Sequence, residues 1–386
     1  MSRSLQQAEA LFDLERYEQA AALAAQHLAG DPDDATALVL LARCRHRLGD
    51  EQQALTAVEQ ALRVEPESVS AWLTHTHVLL ALKEYEQAEV SARRAVELAP
   101  QYWASHYTLG TVLDRSVLYR PVLGRSVLDR PVRDRGVLHR PVRDRAARVE
   151  RKRAACESAR TAVALAPEES DAHFLLGLTA HRTGNHRVAR QAYETALRLN
   201  PDSSAAHNNL SLLHLRRQWL RPGSWTRAAE GFVQSAALDL NDRQARFNLE
   251  TMAWGTVSGA RWVALAGIIA VSCGSAHLRA GATGNDALLT YLACAAVLVG
   301  SWGGWLLWQT RRVPPHLRRP LLLVARGCRQ VLGMAFAVTL LIVHSSLALV
   351  LWHSAVFSAL AIPLFFFAIV MSVAGHTALQ QRAPKP

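Results

Sequence analysis

Proline recurs at a fixed interval in the first half of the chain. Pro32, Pro66 and Pro100 are 34 residues apart, and so are Pro167 and Pro201. Four of them close nearly the same phrase: Ala61, Leu62, Val64, Pro66; Ala95, Val96, Leu98, Pro100; Ala162, Val163, Leu165, Pro167; and Ala196, Leu197, Leu199, Pro201. A unit this short cannot bury a core alone. Self-similarity at this period therefore implies units that stack on their neighbours.

Residues between the prolines repeat in register. Large side chains recur at the fourth and seventh places: Leu38, Trp72, His106, His173 and His207, then Leu41, His75, Leu109, Leu176 and Leu210. Small ones recur at the eighth: Ala8, Ala42, Thr76, Gly110, Gly177 and Ser211. They recur again at the twentieth (Ala20, Ala54, Ala88, Ala155, Ala189) and twenty-seventh (Ala61, Ala95, Ala162, Ala196). This pattern resembles the tetratricopeptide repeat family. The resemblance implies an all-α solenoid of helix-turn-helix units, about six of them over residues 1–253. Small residues let helix A and helix B of a unit approach, large ones fill the gap, and proline stops helix B where its missing N–H does no harm.

Three units depart from the pattern. Helix A of the first is weak and reads as a cap. The fourth is interrupted: 67 residues separate Pro100 from Pro167, and a decapeptide repeats across 115–145, with Pro121, Pro131 and Pro141 at its centre. Such spacing forbids a continuous helix, so this arginine-rich insertion is expected to be a loop at the A–B turn, with helix B resuming near Ala146. It is either a passive insertion or a polybasic arm for anionic lipid or nucleic acid. The sixth is stretched by Trp219–Trp225, and a last helix near 242–253 is expected to cover the end of the stack.

Beyond residue 254 the composition changes, and 254–386 is expected to be a membrane domain. Apolar stretches near 262–278, 287–308, 330–352 and 355–379 contain no acid and no lysine, and each is about the length of a bilayer crossing. They predict a four-helix transmembrane bundle. Charge sets the orientation. Net charge is +11, carried almost wholly by arginine. Arg311, Arg312, Arg318 and Arg319 stand between the second and third spans, while the two outer turns hold only Arg279, Asp286 and His353. The N-terminus lacks a signal-peptide core. The repeats and the C-terminus are thus expected in the cytoplasm, with the chain multi-pass in the cell's inner (plasma) membrane. Two stripes of small residues, Ala266, Ala270 and Gly274, then Ala296, Gly300 and Gly304, are candidate helix contacts.

Enzyme chemistry finds no foothold. No phosphate loop, nucleophile elbow or zinc motif occurs, the five cysteines form no Cys-x-x-Cys pair, and the span histidines do not make a convincing haem pair. No cofactor or metal is expected. The resemblance implies instead a peptide groove lined by helix A. Its contact positions fall on Arg43, His46, Arg47, Leu73, His77, Tyr107, Phe174, His181, Arg182, Asn208 and Arg216. This set is basic and apolar and suits an acidic peptide segment of a protein partner. The family's lysine and asparagine clamp for chaperone tails is not reproduced. The expected function is a membrane-anchored scaffold or adaptor. The alternative is a regulatory or structural subunit of a membrane transporter or other membrane complex. The bilayer is the second expected partner, and nucleic acid is not one.

Overall fold

The computed structural model describes residues 2–119, 140–216, 223–239, 243–281, 283–351 and 355–382, all helical or in turns, with no strand among them. Two compact units divide the chain, Met1–Pro201 and Asp202–Pro386.

The first unit holds five helix pairs: α1 (Arg3–Asp13) with α2 (Tyr17–Gly30), α3 (Ala35–Leu48) with α4 (Glu51–Val64), and α5 (Val69–Ala81) with α6 (Tyr85–Leu98). Then come α7 (Trp103–Tyr119) with α8 (Arg140–Leu165), and α9 (Ser170–Arg182) with α10 (His186–Leu199). Each helix packs on the next, and helix A of each pair also touches helix A of the following pair, which is the layering of a solenoid. Its seams are the small residues. Ala8, Ala20, Ala42, Ala54, Ala61, Ala88, Ala95, Ala155, Ala162, Ala189 and Ala196 are all buried. A Cβ on Gly177 would fall 2.5 Å from the Tyr193 ring, and one on Gly110 would fall 2.9 Å from Leu175.

Turns between helices A and B repeat as faithfully. Glu15, Gly49, Lys83 and Gly184 occupy the same place and all have positive φ, 60°, 85°, 66° and 85°. Helix B ends two residues before proline in each regular unit, and Asp34 caps α3 by accepting the Ala37 N–H at 3.0 Å. The first unit's helix A, expected to be weak, is a regular helix anchored by buried Leu5 and Ala8 and capped by Ser2. Around the insertion, α7 runs on to Tyr119 and α8 starts at Arg140, earlier than the expected Ala146. Pro141 stands in its first turn, where proline is tolerated. Most of the insertion lies outside the described residues.

The second unit joins the last helix pair to the apolar helices. α11 (Ser204–Arg216) packs on α12 (Ser224–Leu238), and α12 packs on α13 (Arg243–Arg279). Trp219–Pro222, the stretched turn, lies outside the described residues. The expected covering helix and the first span are one continuous 37-residue helix, α13, so the expected boundary at 253/254 falls inside it. No proline interrupts this stretch, and Gly255 and Gly259 do not break it. Met252 and Leu249 at its start join Trp225, Phe232 and Leu317 in one cluster, while Trp254 covers Gly375, where a Cβ would sit 2.2 Å from the indole.

α13 is the axis of this unit. α14 (Asn285–Arg312), α15 (Pro315–Gly327), α16 (Arg329–Val350) and α17 (Ala355–Gln381) all pack on it. Among the described residues, four helices are long and apolar enough to cross a membrane: Arg243–Arg279, Asn285–Arg312, Arg329–Val350 and Ala359–Gln381. Leu289, Val299, Phe336, Ile362, Phe366 and Val370 stand exposed on them, an apolar surface far beyond what a water-facing protein tolerates. α17 continues through Pro363. Of the two small-residue stripes, Gly274 is a contact, packed against Cys294, whereas Ala296, Gly300 and Gly304 point away from the bundle. The inward face of α14 is instead Cys294, Leu298, Trp302, Trp305 and Gln309. The short α15 is a helix of its own between α14 and α16.

Candidate functional site

Helix A residues of the first three pairs, with Tyr102 and Ala104 at the start of the fourth, line an open cavity of about 680 Å3. α1 supplies Leu5, Glu9 and Phe12, α3 supplies Val39, Leu40, Arg43, His46 and Arg47, and α5 supplies Leu73, Thr74 and His77. Positions nine, twelve and thirteen of a unit lie one helical turn apart or less and so face the same way. The cavity thus brings together five of the eleven expected groove residues.

Its charged groups are held by neighbours rather than swinging free. The Arg43 guanidinium lies over the Phe12 ring, 4.2 Å from its centroid. Arg47 lies over Tyr17 at 5.1 Å and donates to the Tyr17 hydroxyl at 2.8 and 3.1 Å. His46 Nδ1 meets Glu51 Oε2 at 2.7 Å. Stacking of this kind fixes a guanidinium without consuming its charge. His77 is open to the cavity yet walled by protein. Loss of solvent, then the charges of His46, Arg115 and Arg43, lower its pKa to about 4, so it is neutral at physiological pH. Glu9 is a carboxylate the sequence reading did not include, because it took no groove residue from the first unit.

The remaining expected residues are placed differently. Tyr107 packs edge-on to Trp103, and burial raises its pKa. Phe174 packs on Tyr193, and His181 packs on His186. Arg182 is paired with Asp114, which is 5% exposed, linking α9 to α7. Burial pushes the Asp114 carboxyl up, and Arg182 opposes that shift. Asn208 belongs to the second unit and is buried, accepting from Asn248 Nδ2 at 2.7 Å. Arg216 ends α11, and its side chain lies outside the described residues.

One recurrent bond escaped the sequence reading. The polar residues at the fourth place reach back to the carbonyl of the preceding proline: Trp72 to Pro66 at 2.8 Å, His106 to Pro100 at 3.0 Å, His173 to Pro167 at 2.9 Å. These histidines are staples of the turn, donating through Nε2. The signal was legible as a Pro-to-Trp or Pro-to-His spacing of six. Among the described residues, His27, Asp31 and Asp34 could gather around a metal. Asp34 is already engaged, with Oδ1 on the Ala37 N–H and Oδ2 on His27 at 2.8 Å. Burial raises its pKa, but these bonds outweigh burial and hold it below the usual value. The cluster is accounted for as a helix cap.

Comparison with known proteins agrees with the repeat architecture. Models of the tetratricopeptide repeat match residues 11–76, 69–102, 144–186 and 170–203. No curated protein matches the chain. Among solved structures it is similar to YrrB, described as a tetratricopeptide repeat protein with an unusual peptide-binding site: 15% identity, 57% of this chain and 95% of that one, TM-score 0.37. It is similar to MamA from Desulfovibrio magneticus RS-1 at 19% identity, 54% of this chain and 96% of that one, TM-score 0.38. It is also similar to Pseudomonas aeruginosa PilF at 18% identity, 58% of this chain and 85% of that one, TM-score 0.40. Residues 11–102 and 144–203 are thus tetratricopeptide repeats.

Proposed function

We propose that the protein is a membrane-anchored scaffold that captures an acidic segment of a partner protein in the α1–α3–α5 cavity and performs no chemistry of its own. The observation that carries this reading is the cavity itself. It is large enough for several side chains of an extended peptide, its walls are apolar at Leu5, Val39 and Leu73, and Arg43 and Arg47 are pre-positioned on aromatic rings. Held cations lose little freedom on binding, so they favour a carboxylate more than mobile ones would. Apolar pockets between them supply anchors for side chains that flank the acids.

Four crossings hold the scaffold at the membrane. Arg311, Arg312, Arg318 and Arg319 lie on the same side as the repeats and the C-terminus. By the positive-inside rule that side is the cytoplasmic face of the plasma membrane.

A photo-crosslinking residue at Leu73, activated in native membranes, tests the capture. Mass spectrometry should map the linked segment to a partner sequence rich in Asp and Glu with interspersed apolar residues. Arg43→Glu together with Arg47→Glu should reduce that product about tenfold or more, since each reversal turns an attraction into a repulsion. A segment without carboxylates, or a yield the reversals leave unchanged, would remove the reading. Arg182 is unsuited to this test, because reversing it breaks its pair with Asp114.

A further inference from the structure

α15 has two unlike faces. Leu317, Leu321 and Val324 join Trp225 and Phe232 of α12 and Met252 of α13 in one cluster, and Ala325 packs on the cluster around Trp254. The opposite face, about 160° wide at 3.6 residues per turn, carries Arg318, Arg319, Leu322, Leu323 and Arg326, all exposed. Leu322 is 56% exposed and Leu323 69%. Two large apolar side chains stand open among three cations, on a helix whose other side is already packed. Charge narrows what covers them. Residues 287–386 hold no Asp and no Glu. Glu230 of α12 meets His316, at 3.1 Å, and among the described residues no carboxylate pairs with Arg318, Arg319 or Arg326. Arg318 donates to the Val313 carbonyl at 3.2 Å and keeps its charge.

Connectivity sets the depth. Val313 and Pro314 alone join α15 to α14, and Cys328 alone joins it to α16. Both neighbours are long and apolar enough to cross a membrane. If they cross it, a helix about 20 Å long is pinned at both ends to one membrane face and runs along it. We propose that the 318–326 face of α15 lies in the plane of the leaflet on that side and binds negatively charged phospholipid. Leu322 and Leu323 enter the acyl boundary, and Arg319 and Arg326 reach the headgroup phosphates. The inference rests on the membrane reading above. Arginine stems cover apolar surface while their heads stay at the polar level, so cations and leucines can share one face. A protein partner would have to bring a carboxylate to each arginine and bury both leucines as well. A negatively charged leaflet supplies both along its whole surface.

A benzophenone side chain at Leu323 tests this in the full chain, reconstituted into vesicles of equal parts phosphatidylglycerol and phosphatidylcholine. After illumination, mass spectrometry reads which lipid is attached. Adducts should favour phosphatidylglycerol about fivefold or more, and the preference should fall as salt is raised from about 0.1 M to about 1 M. Arg319→Gln with Arg326→Gln should bring the two lipids close to parity, whereas Arg319→Lys with Arg326→Lys should keep the preference, because the charge is retained. The same probe at Val299, exposed near the middle of α14, should label both lipids nearly alike. Equal labelling at Leu323, a preference that the glutamines leave unchanged, or linkage to a second copy of the chain in place of lipid overturns the proposal. Resistance to carbonate extraction is scored on the same vesicles. A chain that carbonate extracts fails the membrane reading, whereas an inserted chain with any of those three results fails this inference alone.

Discussion

Gly177 faces the Tyr193 ring with no room for a methyl group, so Gly177→Ala should destabilise the repeats by about 1–3 kcal/mol through overpacking, read by chemical denaturation. Tyr193 gives the opposite sign. Its side chain is fully buried, its hydroxyl has no partner among the described residues, and Tyr193→Phe should leave stability unchanged or raise it by up to about 1 kcal/mol. His77 makes a pH prediction. In the free protein its pKa is lowered to about 4. A bound carboxylate would raise it. Between the two values the complex holds a proton that the free protein lacks, so affinity for an acidic segment should rise as pH falls from about 7 towards about 5. His77→Gln should flatten that slope in a binding titration; a slope that survives the change assigns the proton elsewhere.

Elements were legible where a residue type does one thing in every unit. Proline ended helix B and alanine marked the seams because each acts through the local backbone, without knowledge of distant partners. Arg43, His46, Arg47, Leu73 and His77 were brought to one cavity by register alone. The pairing of Arg182 with Asp114 gave no signal because 68 residues separate the two, across the insertion. The continuity of α13 was hidden because Gly255 and Gly259 fall where two different apolar patterns meet. Neither glycine has a neighbour that a Cβ would meet. Gly255→Ala and Gly259→Ala should therefore each stabilise the helix, by about 0.5–1 kcal/mol, measured as a rise in the unfolding midpoint in detergent.

At the scale of the whole molecule, a repeat array that ends in apolar helices does two jobs with one kind of secondary structure. Small residues at fixed places let helices of the first unit meet face to face in water. In the second unit the same device recurs at Gly274 and Gly375, among helices whose other faces are too apolar for water. The helix that packs on the last repeat pair continues without a break into the first apolar stretch. The account rests on four crossings with the repeats and the C-terminus on one side. Reporter domains inserted in the α13–α14 turn at Gly281 and fused after Pro386 test it most directly. The account predicts a C-terminal reporter active only in the cytoplasm and a turn reporter active only outside it. Both reporters active on the same side would contradict it.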